Sequence, residues 1–129
     1  MIYLCRHLTT IDSKTYPMAG LLAFAAEMTT KLSQFGYTTV ELTRDCLLGA
    51  QGAILRGHSF HYSRITGTLP TTTSYHAYYS LSGRDEVEGF SAGNILASYI
   101  HVHFRTDPRI PLSFTEFVRA TKEKEVAPA

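Results

Sequence analysis

The chain has 129 residues, 44% of them hydrophobic and 18% charged, with a formal net charge of +1. That length holds one domain with a modest core, and the composition is that of a folded chain rather than a disordered one. The near-neutral charge offers no field for nucleic acid, no apolar run reaches the about 18 residues that cross a bilayer, and the N-terminus lacks a secretion-signal pattern; a cytoplasmic protein without nucleic-acid or membrane partners is expected.

Taken in chain order, Ile2, Tyr3, Leu4, Cys5 and Leu8 form an apolar run with no polar cap before it, as in the middle of an element. Residues 12–17 read as a loop, with Pro17 and Gly20 as punctuation. Leu21, Leu22, Ala25, Met28 and Leu32 recur near a 3.6-residue spacing and predict a helix over 18–32, against which stand Gly20 and the β-branched Thr29-Thr30 pair. Gly36 predicts a turn, and the alternation from Tyr37 to Leu42 predicts a strand. Further strands are expected over 53–65, 75–81 and 87–90, separated by a polar loop over 66–74 that contains Gly67 and Pro70 and by a turn over 82–85. After a turn at Gly93-Asn94, residues 95–104 carry the strongest strand signal. Ile95, Ala97, Tyr99, His101 and His103 would share one face, and the strand is expected to be central in its sheet. Pro108 and Pro111 end it. Ser113 with Glu116 then predicts a capping box for a short helix whose apolar stripe is Phe114, Phe117 and Val118. One domain over 1–119 and a polar tail over 120–129, frayed from Lys122 onward, complete the chain.

Four of the six histidines lie in two strand-like runs, Arg56-Gly57-His58-Ser59-Phe60-His61-Tyr62-Ser63 and the run from Ala97 to Phe104 with His101 and His103. Histidine is the side chain whose proton moves near neutral pH, so the two runs point to a reaction site. Residues two apart on a strand share a face, which puts His103 where it could orient His101; residues three apart do not, which sends His58 and His61 to opposite faces. Arg56 offers a bidentate fork for a carboxylate. Tyr62 and Tyr99 read as packing aromatics, Cys46 as a partly buried thiol. Cys5, flanked by Leu4 and Arg6, lacks the small neighbours of a nucleophile turn and reads as a packing residue.

These runs carry a resemblance. Met1 to Cys5, Tyr16-Pro17-Met18-Ala19-Gly20 with Gly36-Tyr37, Leu47-Leu48-Gly49 with Arg56 to Ser63, and Gly93-Asn94 with Ala97 to Phe104 resemble, in order and over residues 1 to about 118, the C-terminal part of cobyrinic acid a,c-diamide synthases, enzymes of corrinoid biosynthesis. One position departs: Ser59 stands where that family has Glu. The resemblance implies an α/β fold, the strand-rich C-terminal portion of a class I glutamine amidotransferase-like, flavodoxin-like domain. It implies that His101 is the base that serves a Cys nucleophile, with His103 beside it, and that Arg56, His58 and His61 contact substrate. Glutamine and a corrinoid are the implied substrates; ATP and Mg belong to the full-length family, and this chain is expected to hold no cofactor. It contains neither a Cys-Gly-Gly turn nor a phosphate loop ending in Lys-Ser/Thr, so the chain is expected to be a partial, inactive product of the family that self-associates or pairs with a complementing chain across bare strand edges. The contrasting expectation is a non-catalytic module in which His101, His103 and His58 or His61 bind a divalent metal or a partner chain.

Overall fold

A computed structural model describes residues 1–69 and 72–126, with side chains through residue 123. Pro70 of the expected loop and residues 127–129 of the expected tail lie outside the described residues. The chain is α/β and strand-rich: among the described residues, ten strands form two sheets and are followed by one α-helix.

A 3-10 turn, Ile2–Leu4, leads into β1 (His7–Thr9), which pairs antiparallel with β2 (Thr15–Pro17) and parallel with β3 (Ala25–Met28). β6 (Ser63–Thr66) adds antiparallel to β3 and completes a four-stranded sheet. The helix expected over 18–32 is therefore absent; its apolar residues belong to a loop and a strand. Leu22, Phe24, Ala25 and Ala26 are all buried: β3 is flanked by strands on both sides, and Leu22, Phe24 and Ala26 pack with Cys5, Phe90 and Ala97. Tertiary burial thus overrode an accidental 3.6 spacing.

The second sheet has the order β10-β5-β4-β7-β8-β9. β4 (Gln34–Leu42) lies at its middle between β5 (Ile54–His61) and β7 (Thr73–Tyr79). β4 alternates strictly between buried and less buried residues, which is the pattern of a sheet with one face inward. Gly36 sits inside β4 rather than in a turn: its φ is +119° and a Cβ there would meet the Leu81 side chain at 2.8 Å. The strand expected over 53–65 breaks at Tyr62, where the chain leaves one sheet for the other.

The run expected as one central strand, 95–104, is two short edge strands. β9 (Ile95–Ala97) pairs with β8 (Arg84–Ala92), and β10 (Ile100–Val102) pairs with β5 at the opposite edge. Only Ser98 and Tyr99 separate them, so the two edges lie within about 11 Å along the chain. In a flat six-stranded sheet the edges would stand roughly 24 Å apart, five spacings of about 4.8 Å. The sheet must curl until its edges nearly meet. Inside the curl pack Val40, Leu42, Leu55, Tyr75, Ala77, Tyr79 and Ile100. Ile110, fully buried in the same cluster, closes one end. A second cluster of Cys5, Leu22, Phe24, Ala26, Phe90 and Ala97 joins the two sheets.

The helix α1 (Arg109–Val126) begins before the expected Ser113 cap and runs through most of the expected polar tail. Asp107 caps it instead, accepting from the Arg109 amide at 2.8 Å. Pro108 then immediately precedes the helix and Pro111 falls in its first turn, where a missing N–H costs no helical bond. The Arg109 guanidinium beside Asp107 holds its carboxyl down to about 2. None of the described helices is long and apolar enough to cross a membrane.

Candidate functional site

Strand register gathers the polar residues on the outer face of the curled sheet. Tyr37 of β4 faces His58 of β5, which faces His101 of β10. One row along, Thr39 faces Arg56. Gly57 makes this possible, because a Cβ there would lie 2.5 Å from the Ile100 side chain and 3.0 Å from the His101 carbonyl oxygen. A cleft of about 560 Å³ opens here, lined by Tyr37, Arg56, His58, His101, His103 and Thr106.

Each imidazole is held differently. His101 Nδ1 lies 3.1 Å from the carbonyl oxygen of His58. A carbonyl only accepts, so Nδ1–H donates and the neutral ring keeps Nε2 free as an acceptor. His58 is gripped by aromatic edges, with the Phe35 and Tyr37 rings each 5.8 Å away and nearly perpendicular. His103 lies just beyond β10 and starts a 3-10 turn, Phe104–Thr106. The Arg105 amide donates to His103 Nδ1 at 3.1 Å, which leaves its proton on Nε2 when the ring is neutral. The five expected site residues are thus only partly one site. Arg56, His58, His101 and His103 share the cleft.

His61 points to the other face of β5, as its spacing from His58 requires. It stacks on Tyr99 with ring centroids 3.8 Å apart and planes at 10°, and its Nδ1–H donates to the Ser63 carbonyl at 2.8 Å. Its remaining edge lines a second, smaller cleft of about 320 Å³ shared with Met1, Ile2, Tyr3 and His101. His101 therefore forms the wall between the two clefts and lies beside the first residues of the chain. Among the described residues, no three His, Cys, Asp or Glu side chains come together as metal ligands, so the three-histidine centre considered above does not form.

Burial pushes the His61 imidazole below its ordinary value, against a weaker raising contribution from the Ser63 carbonyl. A histidine with a depressed folded value binds its proton more readily when unfolded. Its effect on stability is then nil well above the unfolded value of about 6.5 and grows as a loss when pH falls through it, levelling off below the folded value. Urea unfolding midpoints measured between pH 8 and pH 5 should fall more steeply for the native chain than for His61→Phe, which keeps the stack on Tyr99. Parallel pH profiles would refute this assignment.

Cys5 is fully buried in the inter-sheet cluster, and burial raises its thiol; the half-buried Cys46 is raised for the same reason. Both are inert environments for a thiolate. Ser59, the position that departs from the resembled family, is fully buried with no hydrogen-bond partner for its Oγ.

Sequence reasoning missed Glu88. Its carboxylate is 5% exposed and accepts from Ser98 Oγ at 2.7 Å, the Tyr99 amide at 2.8 Å and the Gly89 amide at 2.7 Å. In the run Glu86-Val87-Glu88, alternation around Val87 would place both acids in water. The signal available in the sequence was Gly89, a break in a strand where backbone or ring approaches closely.

Comparison with known proteins places these residues in context. Residues 1–109 match the CobB/CobQ-like glutamine amidotransferase domain. A cobyrinate a,c-diamide synthase of Dehalococcoides mccartyi (strain CBDB1) is 38% identical over 95% of this chain and 26% of its own length. Synthases of the same name from Leptospira interrogans serovar copenhageni and Caldanaerobacter subterraneus are 32% and 36% identical, over 90% and 82% of this chain. The chain spans about a quarter of the length of the relatives it matches.

Proposed function

The chain belongs to the family of CobB/CobQ-like glutamine amidotransferase domains, and from that premise we propose that it is the C-terminal portion of the glutaminase unit of an amide synthase of cobalamin biosynthesis, acting in the cytoplasm. Its proposed reaction partners are glutamine and a corrinoid whose a and c carboxylates become amides. Its proposed structural frame is the strand-rich end of a flavodoxin-like class I amidotransferase domain, completed by a second copy or by a complementing chain.

One observation carries the reading: His101 presents a free Nε2 at the boundary of two clefts, with Nδ1–H held by the His58 carbonyl. In the proposed chemistry a thiol from outside these 129 residues attacks the amide carbon of glutamine. His101 Nε2 takes the thiol proton and passes it to the departing nitrogen, which leaves as ammonia. Water then hydrolyses the thioester, with the same nitrogen as base. Arg56 and His58 face substrate across the larger cleft; Arg56 is exposed and supplies a fork for a carboxylate. ATP and magnesium find no fitting residues here, since neither a phosphate loop nor a grouped set of carboxylate ligands occurs among the described residues.

The purified 129-residue chain should release no ammonia from glutamine, because Cys5 is buried and Cys46 half-buried, neither lines the two clefts and neither sits on a nucleophile turn. The same chain extended upstream through a Cys-Gly-Gly turn should release it. Glutamine hydrolysis by the short chain that is abolished by Cys5→Ala would overturn the proposal.

A further inference from the structure

The strand that carries His101 has little to hold it. β10 is three residues long, lies at a sheet edge and, among the described residues, pairs with β5 alone. A rigid base needs more than three residue pairs of antiparallel ladder, because edge segments open at low free-energy cost. Its other anchor is the corner that joins it to β9, and there the structure concentrates buried polar groups. Glu88 Oε1 accepts from the Tyr99 amide, and Oε2 accepts from Ser98 Oγ and from the Gly89 amide. The Ile100 amide donates in turn to Ser98 Oγ at 2.7 Å. Two successive backbone amides at the start of β10 are thus fixed to one carboxylate, directly or through one hydroxyl. The ring of Tyr99 is held from the side by the stack on His61, and its hydroxyl is 2.7 Å from Ser63 Oγ.

We propose that Glu88 is the positioning residue for His101: its buried carboxylate fastens the Ser98–Tyr99 corner that closes the curled sheet, and so keeps β10 in the register that sets His101 Nδ1–H on the His58 carbonyl. Glu88 does not touch the imidazole. It acts through the corner two residues before His101, and it rests on the reading of His101 as the base. A one-residue slip of β10 would turn His101 to the inner face, since successive strand residues alternate faces. A carboxylate suits this corner because every group aimed at it is a donor; an amide in its place would turn an NH₂ toward one of them. In a charge-assisted arrangement that is nearly dry, such bonds are short and strong.

The test is made on the 129-residue chain by nitrogen NMR of the histidine rings, which reports the tautomer without requiring activity. In the native chain, His101 should show the Nδ1–H form and His103 the Nε2–H form. Glu88→Gln should abolish the Nδ1–H signature of His101 while His103 keeps its own. Ser98→Ala, a milder change, should weaken it in a chain that stays folded by circular dichroism. In a glutaminase-competent chain extended through the nucleophile turn, Glu88→Gln should lower kcat by about a hundredfold, the loss typical of a misplaced group, with KM little changed. An unchanged His101 tautomer in folded Glu88→Gln would overturn the proposal. So would a loss of all histidine signatures together in both variants, which is what a merely structural residue would give. Failure of glutamine hydrolysis in the extended chain, with the tautomers as described, would instead count against the reading of the site.

Discussion

Replacing His101 by alanine in the upstream-extended chain is expected to slow glutamine hydrolysis by about two to four orders of magnitude, the usual contribution of a positioned general base. In free energy this is roughly 3–5 kcal/mol of lost transition-state stabilisation. The expectation rests on the tautomer: His101 Nδ1–H is committed to the His58 carbonyl, and Nε2 is left to accept. His103→Ala should cost clearly less. Its Nδ1 is occupied by the Arg105 amide and its role is to start the 3-10 turn, so the change should show mainly as a loss of roughly 1 kcal/mol of stability, the magnitude of a lost cap. Single-turnover rates for the two variants, measured beside their urea unfolding curves, separate the roles. A rate loss for His103→Ala equal to or above that for His101→Ala would show that base and helper are assigned the wrong way round.

The largest expected effect on stability is at Gly89. Its φ is +75°, and a Cβ would stand 2.3 Å from Tyr75 Cε1. Tyr75 is 1% exposed in the middle of the curled sheet, so its ring has no free space into which to swing. Gly89→Ala combines a left-handed backbone cost of about 1–2 kcal/mol with an overpacking cost of about 1–3 kcal/mol. The sum, roughly 2–5 kcal/mol, is a large share of the roughly 5–15 kcal/mol that holds a domain of ordinary stability. Gly83→Ala is the matched control, with φ of +67° and nothing within 4 Å of the added carbon. Chemical denaturation of both should show Gly89→Ala losing at least about 1 kcal/mol more than Gly83→Ala. Equal losses would mean that the ring of Tyr75 yields and that backbone strain alone matters.

Much of this chain was legible in its sequence. Alternation located the strand from Tyr37 to Leu42, because a sheet with one buried face imposes a period of two whatever its neighbours are. The same period separated His58 from His61, and the structure sends them to different clefts. Two motif-bearing runs and their order identified the family. Local rules failed where a distant part of the chain set the outcome. The 18–32 segment has helical spacing, yet β3 is buried between β1 and β6, and pairing across the sheet outweighs a spacing that any apolar run can show by chance. Residues 95–104 read as one strand because each residue suits a strand; that they divide at Ser98-Tyr99 and pair at opposite edges depends on the curl of six strands. Ser113 looked like a cap because Pro108 and Pro111 were read as ending the preceding strand rather than as marking the start of a helix. Glu88 was invisible for the same reason, since the partners that justify a buried carboxylate come from a corner ten residues away. The sequence by itself determined the strand-rich α/β character, the family and the two histidine-bearing runs, all of which follow from short-range periodicity and motif. Only the tertiary structure decided that His101 stands at an edge between two clefts with its proton on Nδ1, because a tautomer is set by whichever acceptor the fold brings to the ring.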